Sequence, residues 1–327
     1  MSDARTIEAH EVVLEVRGVS GDPGHVSLLM RDEAGHRAER ALAIDLARTL
    51  PECDSTWGEF LIRYAQHHST PTERRAFGED LFRALTDVDE FAVTWMSIVG
   101  ASARRPPRIV VVLHPGSEPF AKLPLELLRD ARGDVLAVPG SSLIRTLPDS
   151  PARDIALDAQ PRVLLAWATP KDEFVFDPTP HEDALSAIHG TRLSILPHAR
   201  LTTLRDSLAM AKHDGHPFQL VQLIAHGFGA FGNANLAFEN ESGFTDPVSA
   251  AIFAHCIREQ GVELAALCSC QSGIGFAGVG QTLLAQSGAD VACVVACQAD
   301  LPIHGSATLL ARFHTLLLET RDPALAL

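Results

Sequence analysis

The chain has 327 residues, 46% of them hydrophobic and 21% charged, the composition of a globular protein with enough apolar material for one large core or two domains. Its formal net charge is −14, and only three of its 27 basic residues are lysines (Lys122, Lys171 and Lys212), which argues against direct nucleic-acid binding, because phosphate contacts need clustered Lys and Arg. Met1-Ser2-Asp3-Ala4-Arg5 begins no secretory signal, no apolar run approaches the ~18 uncharged residues of a membrane span, and six cysteines, five of them after residue 255, do not resemble a secreted disulfide framework. A cytosolic protein with free thiols, no membrane attachment and no cofactor is therefore expected.

Residues 11–19 and 25–31 alternate apolar and polar positions around Gly21-Asp22-Pro23-Gly24, which predicts a β-hairpin or two consecutive strands. From 41 to 99 the pattern turns helical. Thr70, Pro71 and Glu73 form a capping box with proline at the first helical position, followed by apolar Phe77, Leu81, Phe82 and Leu85. Residues 108–114 and 162–168 are strongly aliphatic, and an alternation then follows: strand 193–196, helix 201–212, strand 218–225, helix 247–260, strand 262–269, helix 278–286, strand 291–297 and helix 303–319. Such alternation predicts a parallel sheet with helices on both faces. The Gly- and Asn-rich insert 228–244 interrupts the rhythm and predicts a small hairpin over the site. The expected division is 1–105, a β-rich then helical region packing on the core, and 106–327, a larger α/β domain. The apolar ending at 321–327 predicts more helix or another domain beyond it.

Two of these predicted strands end in chemistry. Ile224-Ala225-His226-Gly227-Phe228-Gly229 and Leu267-Cys268-Ser269-Cys270-Gln271-Ser272-Gly273 place a histidine and a cysteine where parallel strands finish, and strand ends and the loops after them build the sites of open α/β sheets. A thiol needs a neighbouring imidazole to become an efficient nucleophile near neutral pH, so Cys270 and His226 are the candidate nucleophile and base. Backbone N–H groups at Gly227 and Cys270 are the candidate oxyanion donors. The bland alternative for Cys270 is a buried, inert strand-end thiol; Cys268, two residues earlier, reads as core.

The spacing and the partial Cys270-Gln271-Ser272 match resemble caspases. The second half resembles CHAT domains, caspase-like modules related to separase: Leu267 to Gly273 is similar to their nucleophile segment, His226-Gly227 to their histidine strand end, Leu123-Pro124-Leu125-Glu126-Leu127-Leu128 to their Leu-Pro-Trp-Glu-Leu-Leu, and Leu283 to Val291 to the helix and turn before the next strand. Leu125 replaces the tryptophan, and Val295-Ala296-Cys297-Gln298-Ala299-Asp300 departs from the family's tryptophan-containing strand end. The resemblance implies a caspase-like α/β/α sandwich with a mostly parallel central sheet, preceded by the β-rich and helical N-terminal region. It also implies a His226–Cys270 dyad cleaving a protein or peptide substrate, a structural role for Glu126, and control by an activating partner or fused sensor in a bacterial signalling or defence system. Asp300 stands where separase carries an acidic residue of the S1 pocket, which would select Arg or Lys at P1; it can equally cap the helix opening near Pro302.

Three other patterns are weaker. Residues 275–282 have P-loop spacing, but Gln281 replaces the phosphate-binding lysine. Cys268, Cys270, His255 and Cys256 lack zinc-knuckle spacing. No Gly-x-Ser-x-Gly elbow surrounds Ser269 or Ser272. The competing class is a catalytically silent interaction module.

Overall fold

The computed structural model describes residues 10–32, 35, 37–66, 68–87, 90–95, 107–130, 133–134, 141–148, 155–228, 235–269, 279–286, 291–296 and 303–326. Contacts divide the chain into two compact units, one ending at Pro148 and the other spanning Asp149–Ala326.

In the first unit, β1 (His10–Val19) and β2 (Asp22–Asp32) form the expected antiparallel hairpin, with Gly21 at φ 80° in the turn. A third antiparallel strand, β3 (Arg37–Ala43), follows. Its Ala, Glu and Arg are helix formers, yet Ala38 and Leu42 are buried at strand spacing, so packing against β2 overrides local preference. Helices α1 (Trp57–Ala65) and α2 (Pro71–Thr86) come next. The Thr70 capping box is present: Thr70 Oγ1 accepts from the Glu73 N–H at 3.1 Å, and the Glu73 carboxylate accepts from the Thr70 N–H at 2.8 Å. An equivalent box at Thr56 and Glu59 opens α1. Buried Asp80 joins the helical region by accepting from Trp57 Nε1 at 3.0 Å and from Arg48 at 2.6 and 2.8 Å.

The aliphatic run expected to open the larger α/β domain is β4 (Pro107–Leu113), and it lies inside the first sheet. It pairs in parallel with β1 on one side and β5 (Ser142–Thr146) on the other, giving the order β3-β2-β1-β4-β5. That pairing moves the division between compact units from 105/106, where the sequence pattern changes, to 148/149.

The second unit runs β6 (Val163–Trp167), α3 (Thr179–His189), β7 (Leu193–Leu196), α4 (Leu201–His213) and β8 (Leu220–Ile224). Three short strands follow, β9 (Gly227–Phe228), β10 (Asn235–Glu239) and β11 (Thr245–Ser249). The chain then continues through α5 (Ala250–Ile257), β12 (Leu264–Cys268), α6 (Val279–Gln286), β13 (Cys293–Ala296) and α7 (Ile303–Thr320). Its main sheet has the order β13-β12-β8-β6-β7, and every neighbouring pair is parallel. All five residues of β6, β8 and β12 are buried, as expected for strands covered on both faces.

Alternate strand residues serve the two faces. Leu164, Ala166, Val221, Leu223, Ala265 and Leu267 pack with Leu204 and Leu208 of α4, Phe253 and Ile257 of α5 and Leu283 of α6. Val163, Leu165, Trp167, Leu220, Ile224, Leu264 and Ala266 pack with Leu185 of α3 and Leu310, Phe313 and Leu317 of α7. The unit is thus a three-layer α/β arrangement. The insert after β8 is larger than the hairpin expected, a three-stranded antiparallel sheet β9-β10-β11. Pro247 belongs to β11 rather than to a helix, because Ser249 caps α5 by accepting from the Ile252 N–H at 3.3 Å.

Candidate active site

β8 lies between β6 and β12, with Ile224 in register with both Trp167 and Cys268. The Ala225 N–H still reaches the Cys268 carbonyl at 3.3 Å, so His226 follows at the carboxyl end of a central strand, where the chain leaves the main sheet to start β9. On the neighbouring strand, Cys268 ends β12 and Ser269 is buried, its hydroxyl without a hydrogen-bond partner among the described residues. Cys270 and Asp300 both lie outside the described residues.

His226 is half-buried and held from two sides. Its carbonyl accepts the Ala237 N–H at 2.9 Å, tying it to β10. Its Nε2 sits 2.6 Å from the Phe174 carbonyl, and the ring of Phe176 meets the imidazole edge-on, 5.6 Å between centroids at 64°. A carbonyl oxygen only accepts, so Nε2 carries the hydrogen; in the neutral ring Nδ1 therefore holds the lone pair. A backbone atom thus orients the imidazole.

Gly227 has a defined place. The bond from the Ala237 N–H to the His226 carbonyl makes Gly227 and Leu236 a non-hydrogen-bonded pair of the antiparallel ladder. The Gly227 N–H consequently turns away from β10, toward the outer edge of the small sheet.

A buried carboxylate braces the surrounding loops. Glu239 of β10 accepts from the Thr169 N–H at 2.8 Å and bonds His198 Nδ1 at 3.0 Å, joining the loop after β6 to the loop after β7. Neither Glu239 nor the Phe174 carbonyl stood out in the sequence. A main-chain oxygen has no sequence signature, and Glu239 reads as one more charge in a polar insert.

Three described thiols of the second unit, Cys256, Cys268 and Cys293, are packed ones. Cys268 is buried with Trp167 and Ile224, as the sequence suggested. Cys256 lies in the core on the opposite face of the sheet, with its thiol pushed up to about 11 by burial; burial raises Cys293 to about 12. These thiols are inert near neutral pH. His255 is exposed whereas Cys256 is buried, and among the described residues no group of three or more His, Cys, Asp or Glu could hold a metal ion. Gln281, at the lysine place of the P-loop-like segment, is itself buried in α6. In the first unit, Glu126 pairs with Arg145 at 3.0 Å, and the same guanidinium donates to the Leu123 carbonyl at 3.2 Å, which anchors the Leu-Pro-Leu-Glu turn.

The fold and rim define an α/β protein with a histidine and a cysteine segment at the ends of adjacent parallel strands. Residues 75–327 match the CHAT domain family model, and the chain belongs to this family, which is of the caspase-like cysteine peptidase type. The match begins inside α2 and so spans parts of both compact units. No curated protein matches the chain significantly. Among the described residues, no helix is long and apolar enough to cross a membrane.

Proposed function

We propose that this chain is a caspase-like cysteine endopeptidase of the cytosol, with Cys270 as nucleophile and His226 as base. The observation carrying this reading is the Nε2–H bond to the Phe174 carbonyl, which leaves Nδ1 as the basic nitrogen. The register adds to it: Ile224 pairs with Cys268, and His226 and Cys270 each lie two residues further along.

In the proposed reaction, Nδ1 takes the Cys270 thiol proton, and the thiolate sulfur attacks the scissile carbonyl carbon. The carbonyl π pair moves onto oxygen, stabilised by the N–H groups of Gly227 and Cys270. Collapse breaks the C–N bond, the imidazolium gives its proton to the leaving amine, and a thioester remains. Water, deprotonated by His226, attacks this thioester, and the acid product and thiol are released. The Phe174 carbonyl stabilises the imidazolium by accepting from Nε2–H in both halves of the cycle. Asp300 is proposed to favour Arg or Lys at P1. The natural substrate is proposed to be one particular protein, cleaved in a bacterial signalling or defence response after a sensor or partner engages the enzyme. Full-rate cleavage by the isolated chain would overturn that last element.

The test is digestion of a diverse peptide library read by mass spectrometry, with wild type, Cys270→Ala and Cys268→Ala. Cleavage should vanish only in Cys270→Ala. Because an enzyme awaiting its activator would also be silent, alkylation of Cys270 by iodoacetamide should be followed across pH in wild type and His226→Ala. Neither cleavage nor His226-dependent alkylation would leave an interaction module as the reading.

A further inference from the structure

The segment after β6 is fastened at almost every step. The Thr169 N–H bonds Glu239 at 2.8 Å, the Lys171 N–H bonds the Gly243 carbonyl at 2.9 Å, and Lys171 Nζ bonds the Ser242 carbonyl at 2.8 Å. Asp172 accepts from the Thr245 N–H and hydroxyl at 2.8 and 2.9 Å, and Phe176 packs on the core facing α3 and α7. Between these fastenings the chain holds Phe174 at 78% and Val175 at 68% exposure, although Phe174's own carbonyl is bonded to His226. Phe228, two residues beyond the histidine, is exposed as well. Leaving a phenylalanine in water forgoes the free energy that burial would give, and a braced loop that presents two apolar side chains together marks a contact surface.

We propose that Phe174 and Val175 form a preorganised apolar ledge that receives a large hydrophobic side chain of the substrate beside the scissile bond. The inference rests on the peptidase reading and extends it to specificity. The occupant follows from position: the backbone atom touching the base belongs to Phe174, so a polypeptide presenting its scissile carbonyl near His226 runs past these two side chains. The bracing lowers the ordering cost of binding, since the ledge is fixed before substrate arrives.

Phe174→Ser and Val175→Ser keep the main-chain carbonyl that holds His226 and remove only the exposed apolar groups. Two readouts separate docking from catalysis. In the first, Cys270→Ala protein, alone or combined with Phe174→Ser and Val175→Ser, captures peptides from a diverse library. Peptides carrying a large apolar residue should be enriched by the former and lost from the latter. In the second, wild type and the double serine variant cleave the same library; kcat/KM for apolar-flanked sites should fall about ten- to a hundred-fold relative to sites without a large apolar neighbour. Apolar capture with neither cleavage nor His226-dependent alkylation of Cys270 would sink the peptidase reading and leave the ledge standing. Cleavage by wild type with identical site preference in the serine variant would overturn the ledge and keep the peptidase. Capture that shows no apolar preference, or one indifferent to the serines, overturns the ledge whatever the catalysis.

Discussion

The two faces of the parallel sheet in the second unit are packed with different chemistry. The face toward α4, α5 and α6 is a continuous apolar core in which Leu204, Leu208, Leu223, Phe253 and Ile257 are fully buried. The face toward α3 and α7 has a chain of polar side chains running through it. His189 Nε2 lies 3.0 Å from His314 Nδ1, His314 Nε2 3.1 Å from Gln222 Oε1, Gln222 Nε2 2.9 Å from His181 Nδ1, and His181 Nε2 3.0 Å from Ser306 Oγ. All five residues are buried. As placed, the Gln222 amide donates to His181 and accepts from His314, which fixes every tautomer so that each histidine donates in the same direction. Turning the amide over reverses every bond and breaks none. Burial, rather than the donor pattern, disfavours a charge on His189 and His314. The apolar face is therefore specified by volume, and the polar face by hydrogen-bond geometry and by the cost of charging His189 and His314 in a buried site.

The sharpest way to break the comparison is to damage each face and vary the pH. Phe253→Ala, on the apolar face, should cost about 3–5 kcal/mol by opening a cavity, and that cost should not change between pH 7 and pH 5 in urea unfolding. Gln222→Leu, in the middle of the polar face, removes one partner from His181 and one from His314 and should cost about 2–4 kcal/mol. Gln222 stands four residues before His226 on β8, facing the same side as Ile224, so this variant should also slow any His226-dependent alkylation of Cys270. A destabilisation from Gln222→Leu below that of an exposed substitution such as Met210→Ser would remove the network from the account.

This difference also explains what the sequence did and did not disclose. Every strand of the main sheet was legible as an aliphatic run, and helices α4, α6 and α7 were legible to within a residue or so, since their periodic apolar residues face the core. Helix α3 was not legible. Its inward positions are His181, Leu185 and His189, so two of its three core side chains read as polar, and no 3.6-residue apolar stripe marks it. The Ala-, Glu- and Arg-rich β3 was hidden for the converse reason, its local preference pointing toward a helix. The candidate histidine was legible from its strand-end position and the glycine after it. The atom that orients it was not, because any residue at 174 would supply the same carbonyl.

Acid sharpens the contrast further. Burial pushes both His189 and His314 well below the ordinary imidazole value, and His189, 3.0 Å away, lowers His314 further. Below about pH 6.5 the unfolded chain takes up protons that these folded histidines refuse, so stability is fully present above that pH and is lost as the pH falls from 6.5 toward 4. Each histidine contributes up to about 1.4 kcal/mol per pH unit in that window. Glu59, Glu73 and Asp172, whose pKa values the fold lowers from 4.5, 4.5 and 3.8, begin to add their loss only near the acid end of that window and below it. Urea midpoints at pH 7, 6 and 5 should therefore fall steeply in wild type, and a flat profile would mean that the histidines are charged or solvated in the folded state.

His189→Leu should have the smallest effect at neutral pH and the most telling one in acid. His189 is the terminal member, so removing it deprives His314 Nδ1 of one bond and leaves the links through Gln222 to Ser306 in place. The lost bond should cost about 1 kcal/mol at pH 7, partly offset by the apolar side chain that replaces the ring. One of the two titrating groups has then gone, and His314 no longer faces a second imidazole. The slope of stability against pH between 6.5 and 4 should fall by about half, so the variant and wild type converge as the medium becomes acidic. Parallel profiles would place the acid sensitivity elsewhere, among the exposed histidines; convergence would tie it to the buried chain beneath the strand that carries His226.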